Sequence, residues 1–492
     1  MMKISKKTRD LITYIVGGTI VFVGTILLVA IAMGWQYNIK TGELEDTGLI
    51  LLDSEPNNAA ISIDNVSINK KTPFRYTNVL PGTYEVAYQL SGYRTWKKQV
   101  TVDAEQVSFA DYAWLLPNEV PARQRYADRR ISNAYQTPNR ARFILVETPP
   151  ASAQPRLLTS TDLTRPPVTL YDPPENPPER RISSIDSVQF SPDNSYILLR
   201  LAYSDSTFEW GVISAEPSAN PTLLNISKEL IIKPNWIGWG PTGNNELYYL
   251  ENSILRRITR TDKKISENLI ENVSQAEWQR DKLITVETSS PVPNAPQPVA
   301  KTTKLVLRDN DNFTNPTSLE TPLGKQPLRF KYFVLNDNDY LAIFAPEQKD
   351  LYLARNLFNR PNERKLSLVG KNISDYSINP TGRFLVYNQA ESLVSIDLER
   401  TKHYRFKTPL TGLIRWEWIN EQHLTYIAKG QLHLVDYDGQ NDEVIAGSIL
   451  STSPILFSEN KSILGFTTSQ ESTNATAVPS FTHWFLTPSR AF

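Results

Sequence analysis

The chain has 492 residues, too many for one ordinary core and enough for roughly two to four domains. Its 52 Lys and Arg balance 52 Asp and Glu, so no global field draws in polyanions, and no nucleic-acid partner is expected. The absence of cysteine excludes disulfides, thiolate nucleophiles, zinc-thiolate sites and lipid attachment through Cys, while 34 Pro against 20 Gly, without long soluble helical patterns, predicts a mostly β protein.

The N-terminus departs from that pattern. Leu11 to Met33 is an uncharged, mainly apolar run that as a helix would reach roughly 35 Å, enough to cross a hydrocarbon core of about 30 Å. Lys3, Lys6, Lys7 and Arg9 precede it, whereas Trp35, Tyr37, Glu43, Glu45 and Asp46 follow it. The positive-inside rule therefore makes residues 1–10 a cytoplasmic tail, residues 11–34 a transmembrane helix and the rest extracytoplasmic. A buried core helix is a competing reading, but the all-round apolarity together with the asymmetric flanks suits a membrane better. A cleaved signal peptide is the rival, because Ala30 and Ala32 form an A-x-A pattern, but the run exceeds the usual apolar region of about 7 to 15 residues. Ala30 and Gly34 also match small-xxx-small, a weak sign of helix association.

Residues 48–117 predict a small β domain. Ile61 and Ile63 alternate with Ser62 and Asp64, and Tyr84, Val86 and Tyr88 alternate with Glu85, Ala87 and Gln89, the period of half-buried strands. Pro81-Gly82 predicts a type II turn with Gly82 at positive φ. Ser91-Gly92-Tyr93 breaks the strand before Trp96, Val100 and Val102 resume an extended pattern. GLILLDSEPNNAAISIDN, KKTPF, LPGTYEV and LSGYRTWKKQVTV resemble a PEGA domain, a small β-sandwich module of bacterial and archaeal envelope proteins. The matching positions are Pro56, Ala59, Asp64, Pro73, Pro81, Gly82, Tyr84, Gly92 and Tyr93. Asn57-Asn58 stands where the family name implies Glu-Gly, and Asn65 where glycine often follows, although asparagine tolerates the same left-handed backbone. The resemblance implies a surface or envelope module without a general catalytic duty. Tyr84, Tyr93 and Trp96 could face a saccharide, but packing in a small core accounts for them more simply.

Residues 118–492 repeat one unit of apolar strand, turn and strand. It is plainest in QFSPDNSYILLRL, GWGPTGNNELYYL and SINPTGRFLVYN, and looser in AYQTPNRARFILVE, AEWQRDKLITVE, YFVLNDNDYLAIF, WEWINEQHLTYIA and LFSENKSILGFTT. SILRRITR, DLYLAR, LVSIDLE and QLHLVDYD supply further hairpin partners. Separations of about 38 to 56 residues bracket a four-stranded blade. The units resemble blades of TolB-like and WD-type β-propellers, with SPDN, GPTG and NPTG at the family's frequent S-P-D-G turn. Seven or eight blades are possible, and eight are favoured. Phe481 to Leu486 is expected to complete the last blade, joined by a strand from the segment that precedes the first repeat. The Pro-rich stretches Thr148–Pro155, Arg165–Pro178 and Ser289–Pro298 are expected to be long loops at blade edges.

No local motif carries catalysis. Gly238, Gly240 and Gly243 spell GxGxxG, but Pro241 interrupts it and NNELYYL reads as a strand where a dinucleotide site needs a helix. If Lys429-Gly430 closes a hairpin, His433 lies opposite Tyr426 and His423 opposite Asp436, so the histidines point to opposite faces and cannot share a metal. His423 with Asp436 is expected to be an ordinary surface contact. Asp436, Asp438 and Asp442 lack EF-hand spacing and read as a turn. HExxH, GxSxG and a Walker loop are absent. No catalytic residue, cofactor or metal is expected. The expectation is an all-β, single-pass protein of the cell membrane, a noncatalytic recognition or scaffolding protein that binds an envelope protein or glycan. The alternative is an envelope propeller enzyme acting on carbohydrate or peptide, with acids assembled from different blades.

Overall fold

The computed structural model describes residues 6–32, 35–38, 43–148, 154–174, 180–218, 221–288, 303–309, 312–320, 327–358, 360–406, 413–450, 453–458, 462–467 and 479–486. It falls into two compact units, one ending at Val120 and the other spanning Pro121–Leu486. The first begins with helix α1 (Lys6–Ala32), followed by a hairpin of Trp35–Asn38 and Glu43–Asp46. Among the described residues no helix is long and apolar enough to cross a membrane. The expected span of residues 11–34 is therefore not supported there, and Met33 and Gly34 lie outside the described residues. Large apolar side chains along α1 are nevertheless exposed, from Tyr14 at 79% to Val29 at 51%.

Residues 48–117 form two facing sheets. Gly48–Glu55 pairs antiparallel with Phe74–Val79 and parallel with Val107–Trp114. The second sheet runs in the order Val66–Lys71, Ala60–Ile63, Gly82–Gln89 and Trp96–Val102. Alternation puts Ile50, Leu52, Ile61, Val86, Val100 and Val102 into one core. Trp96 stacks on Tyr88 at 5.1 Å, and Tyr84 and Tyr93 pack partly buried against the same core, so these aromatics serve packing. Ala59 is fully buried beside them, while Pro56 and Pro73 follow cis peptide bonds. Asn58 and Asn65 take φ of 69° and 63°, the left-handed backbone that let asparagine stand at these turns. Asp64, at φ 49°, accepts a hydrogen bond from the Glu85 amide at 2.8 Å.

The expectation for Gly82 is overturned. Gly82 opens a strand and is absent from the positive-φ glycines, because Pro81 leads straight into extended pairing of Gly82 with Val102. A Cβ there would meet Tyr84 at an ordinary 3.5 Å. Gly92, at φ 85°, is the glycine this domain needs for its backbone. Gly92→Ala should cost about 1 kcal/mol and Gly82→Ala no more than about 0.5 kcal/mol, read from native-state hydrogen exchange within residues 48–117. Equal loss of protection in both variants would remove this assignment.

Among the described residues, the second unit contains eight sheets of four or five strands, in a β-propeller-like succession. Seven begin at Ile131, Ile182, Trp236, Val273, Arg329, Ile373 and Leu413, each running through successive hairpins in chain order. A single sheet has two apolar faces, and each face is buried by a neighbour. The first and second sheets meet through Ile144, Ile185 and Ile197, the second and third through Leu198, Trp210 and Ile237, and the third and fourth through Tyr248, Ala276 and Leu283. The series continues with Ile284 against Phe330, Phe344 against Tyr376, and Val386 against Trp416. The repeated turn has a common geometry: the fourth residues of TPNR, SPDN, GPTG and NPTG are Arg140, Asn194, Gly243 and Gly382, with φ of 59°, 60°, 65° and 81°. The GxGxxG glycines thus belong to this strand-turn-strand, with Trp236–Trp239 paired to Glu246–Glu251.

The eighth sheet joins the two ends of the unit. Its order is Leu456–Ser458, Ser462–Thr467, Ser480–Phe485 and then Ala122–Arg125, with Ala122 opposite Trp484 and Arg125 opposite Phe481. The C-terminal aromatic segment and the strand before the first repeat therefore share a sheet, as expected. This sheet meets the first through Phe143, Leu145, Leu464 and Phe481. Arg165–Pro178 departs from its expected loop: Val168–Tyr171 is the outer strand of the first sheet, an edge that tolerates nearby prolines. Residues 149–153, 175–179 and 289–300, which hold the rest of the Pro-rich stretches, lie outside the described residues. Deleting Phe481 onward should abolish hydrogen-exchange protection at Ala122–Arg125 and lower it at Ile131–Gln136, because both lose their partner sheet. Unchanged protection at both would disprove the shared closure.

Candidate functional site

First strands of neighbouring sheets lie against one another. Ile182–Phe190 touches Trp236–Trp239, which touches Val273–Gln279, and Ile373–Ile378 touches Leu413–Trp418. Their edges carry hydrogen bonds across sheets. Gln275 accepts from the Leu328 amide at 2.9 Å and donates to the Leu328 carbonyl at 2.5 Å, tying the fourth sheet to the fifth. Gln136 makes the same reciprocal pair with the backbone of Phe457, tying the first to the eighth.

Glu277, Lys331, Asp375 and Glu417 occupy these strands in the fourth to seventh sheets. Each precedes an aromatic residue, Trp278, Tyr332, Tyr376 or Trp418, which packs into the core shared with the preceding sheet. Strand alternation turns the charged neighbour the other way. Opposite charges then fall beside one another: Arg329 pairs with Asp375 at 2.5 Å, and Arg415 lies 3.5 Å from Glu417. Gln279 donates to Glu277, which also feels the charges of Lys331 and Arg329.

Partial enclosure tunes these groups. Burial raises the Glu277 pKa, against the lowering influence of Gln279, Lys331 and Arg329. Burial lowers that of Lys331, with Glu277 opposing. Lys331 remains exposed by surface area, so the effect comes from enclosure by surrounding strands with water still present. Burial also raises Glu417, against Arg415 and Arg140. Arg140 reaches from the first sheet across Phe457, 4.9 Å from its ring, to donate to the Ile419 carbonyl of the seventh at 2.7 Å. The result is a half-enclosed polar arc on the first strands of four successive sheets, here termed axial, that offers both donors and acceptors.

The histidines lie elsewhere in the seventh sheet. The register pairs His423 with Asp436 and Tyr426 with His433, as the hairpin reading required. His423 and Asp436 are 3.4 Å apart and only 4% and 3% exposed, so their expected surface contact is a buried one. His433 Nδ1 lies 2.9 Å from Asp442, which accepts from Tyr426 at 2.6 Å. Asp438 accepts from Gln440, and Asp436 from Asn441, so these two serve their turn, while Asp442 holds the Tyr426 and His433 side chains of the paired strands. Among the described residues no group of three His, Asp or Glu is placed to hold a metal ion. Sequence reasoning missed the axial charges. Their available signal was the charged-aromatic pair that recurs on the first strands of the fourth to seventh sheets.

Because Glu417 binds its proton more tightly folded than unfolded, its contribution to stability is lost as pH rises from about 4.5 through its raised folded pKa. Glu417→Gln should lack that loss. The difference in thermal midpoint, variant minus parent, should grow with pH across this window and then level off. A constant difference would disprove the enclosed carboxylate.

Residues 47–113 match the PEGA domain family. No curated protein matches the chain. Among solved structures, an oligogalacturonate lyase in complex with manganese is 13% identical, with 73% of this chain and 99% of that chain covered and a TM-score of 0.41. A eukaryotic initiation factor is 14% identical over 82% of this chain and 98% of that one, with a TM-score of 0.45. Porphyromonas gingivalis dipeptidyl peptidase 4 is 12% identical over 73% and 58%, with a TM-score of 0.44. Similarity at this level carries no argument about activity.

Proposed function

We propose that this is a membrane-anchored, extracytoplasmic recognition protein, noncatalytic, whose axial polar arc receives a charged or hydrogen-bonding face of an envelope protein or glycan. The observation that carries the reading is the juxtaposition of opposite charges on neighbouring first strands, Glu277 with Lys331 and Arg329 with Asp375. Such an arc provides orientation and specificity, since a ligand must match the sequence of positive and negative positions along it. The anchor rests on residues 11–34. Lys6, Lys7 and Arg9 lead into the uncharged, mainly apolar sequence of residues 11–33, where the large apolar side chains described are exposed, an arrangement that lipid would satisfy.

The test uses the full chain in a non-ionic detergent, incubated with envelope material, with bound proteins and glycans identified. Lys331→Glu should reduce retention of the bound component about tenfold or more. Glu277→Lys combined with Lys331→Glu restores pairing with inverted polarity, so it should fold like the parent and still fail to bind. Equal retention by all three proteins would overturn the axial recognition site, and turnover of a retained glycan or peptide would overturn the noncatalytic reading.

A further inference from the structure

The strand that closes the second unit carries a buried histidine. His483, 6% exposed, lies in Ser480–Phe485 with Leu464 opposite it on one side and Arg123 on the other. Its Nε2 is 2.5 Å from the hydroxyl of the fully buried Ser462, and its Nδ1 is 3.4 Å from Arg125 Nη2. A guanidinium can only donate, so Nδ1 accepts from Arg125, and Nε2 carries the proton and donates to Ser462. The neutral imidazole is thus used at both nitrogens, and it joins the strand before the first repeat to the C-terminal hairpin. Its ring lies 4.2 Å from that of Phe485, which Arg123 approaches in turn at 5.9 Å.

The charges beside His483 have one sign. Arg123 and Arg125 lie on the adjoining strand, whereas Leu456–Ser458, Ser462–Thr467 and the rest of Ser480–Phe485 hold no carboxylate or cation. The first sheet packs against this face with the apolar Phe143 and Leu145, and Tyr126 stacks on Phe481. Asp162 acts on Arg125 and is itself paired with Arg165 at 3.3 Å. Burial first, then the charges of Arg125 and Arg123, lower the His483 pKa to about 4. A proton on Nδ1 would set its N–H against that of Arg125. Arg125 Nε is already buried without a hydrogen-bond partner among the described residues, so the seam has no spare acceptor for a further donor. An opened seam returns the imidazole to water and to its ordinary pKa of 6.5. Below about pH 6.5 the open form therefore takes up a proton that the closed form refuses, and opening gains progressively until the closed form is protonated as well, near pH 4.

We propose that His483 is an acid-operated clasp: protonation of its Nδ1 releases Ala122–Arg125 from Ser480–Phe485 and opens the second unit at its seam. The clasp is a property of the closure and does not rest on the axial recognition site. The experiment follows the detergent-solubilised full chain by hydrogen exchange between about pH 7.5 and pH 4.5, with rates corrected for the intrinsic pH dependence of amide exchange. Protection of Ala122–Arg125 should fall at least about tenfold on acidification, while that of Phe384–Gln389 in the sixth sheet should change less than about twofold. His483→Gln keeps a neutral side chain between Ser462 and Arg125 but cannot titrate, so its seam should hold one level of protection across the range. Arg125→Met removes the nearer opposing cation and should make the fall smaller. A parent seam that stays protected at pH 4.5, a fall of the same size in His483→Gln, or a loss shared equally by the sixth sheet would overturn the proposal. If His483→Gln does not fold, an undiminished fall in Arg125→Met overturns it instead.

Discussion

Closure of the ring is the constraint on which the second unit depends. Each sheet exposes two apolar faces and gains its core only from neighbours, so a linear stack would leave a bare face at either end. The shared eighth sheet removes both ends with one device, the pairing of Ala122–Arg125 with Ser480–Phe485. That seam is fastened a second time. Gln136 grips the Phe457 backbone, and Arg140 passes over Phe457 to the carbonyl of Ile419. The left-handed backbone of Arg140 is the ordinary geometry of the repeated turn, so a position filled by Asn194 or Gly382 in other repeats has here become a latch.

The closed ring also explains the unusual environment of the axial charges. In the fourth to seventh sheets the first strand turns an aromatic residue into the core between sheets, and the residue before it is then directed away from that core. Four successive sheets use this constraint to carry Glu277, Lys331, Asp375 and Glu417. Their partial enclosure penalises ionisation, as the raised Glu277 and Glu417 and the lowered Lys331 show, while neighbours of opposite sign oppose that penalty. The site is thus a product of packing, with polarity placed where the core ends.

The parts of this fold legible in sequence are those encoded by local hairpins. SPDN and NPTG announced their turns because proline and a left-handed fourth residue leave few other conformations. The Lys429-Gly430 turn set the pairing of His423 and His433 for the same reason. Outer strands were less legible: Lys264–Ile265 and Leu224–Asn225 are too short for a period, and Val168–Tyr171 follows prolines. Gly82 misled because Pro-Gly favours a turn in isolation, whereas pairing with Val102 draws this glycine into a strand. The axial arc stayed hidden since its members are separated by whole repeats, and only the closed topology brings them together. The burial of His423 with Asp436 likewise depends on the neighbouring sheets.

The shared eighth sheet also imposes an order in time on biosynthesis. Ala122–Arg125 leaves the ribosome well before its partner, Ser480–Phe485, which lies far downstream in the chain. At about 5 to 20 residues per second, the early strand waits on the order of 20 to 70 seconds with its backbone edge unpaired. Throughout that interval the nascent chain carries a sticky edge and an uncovered first sheet, both open to pairing with another chain. The short strand ARQR, with Arg123 and Arg125 among its four residues, is poorly suited to such mispairing because its charges repel a second copy. A device that seals the finished ring therefore carries its own protection while it is incomplete.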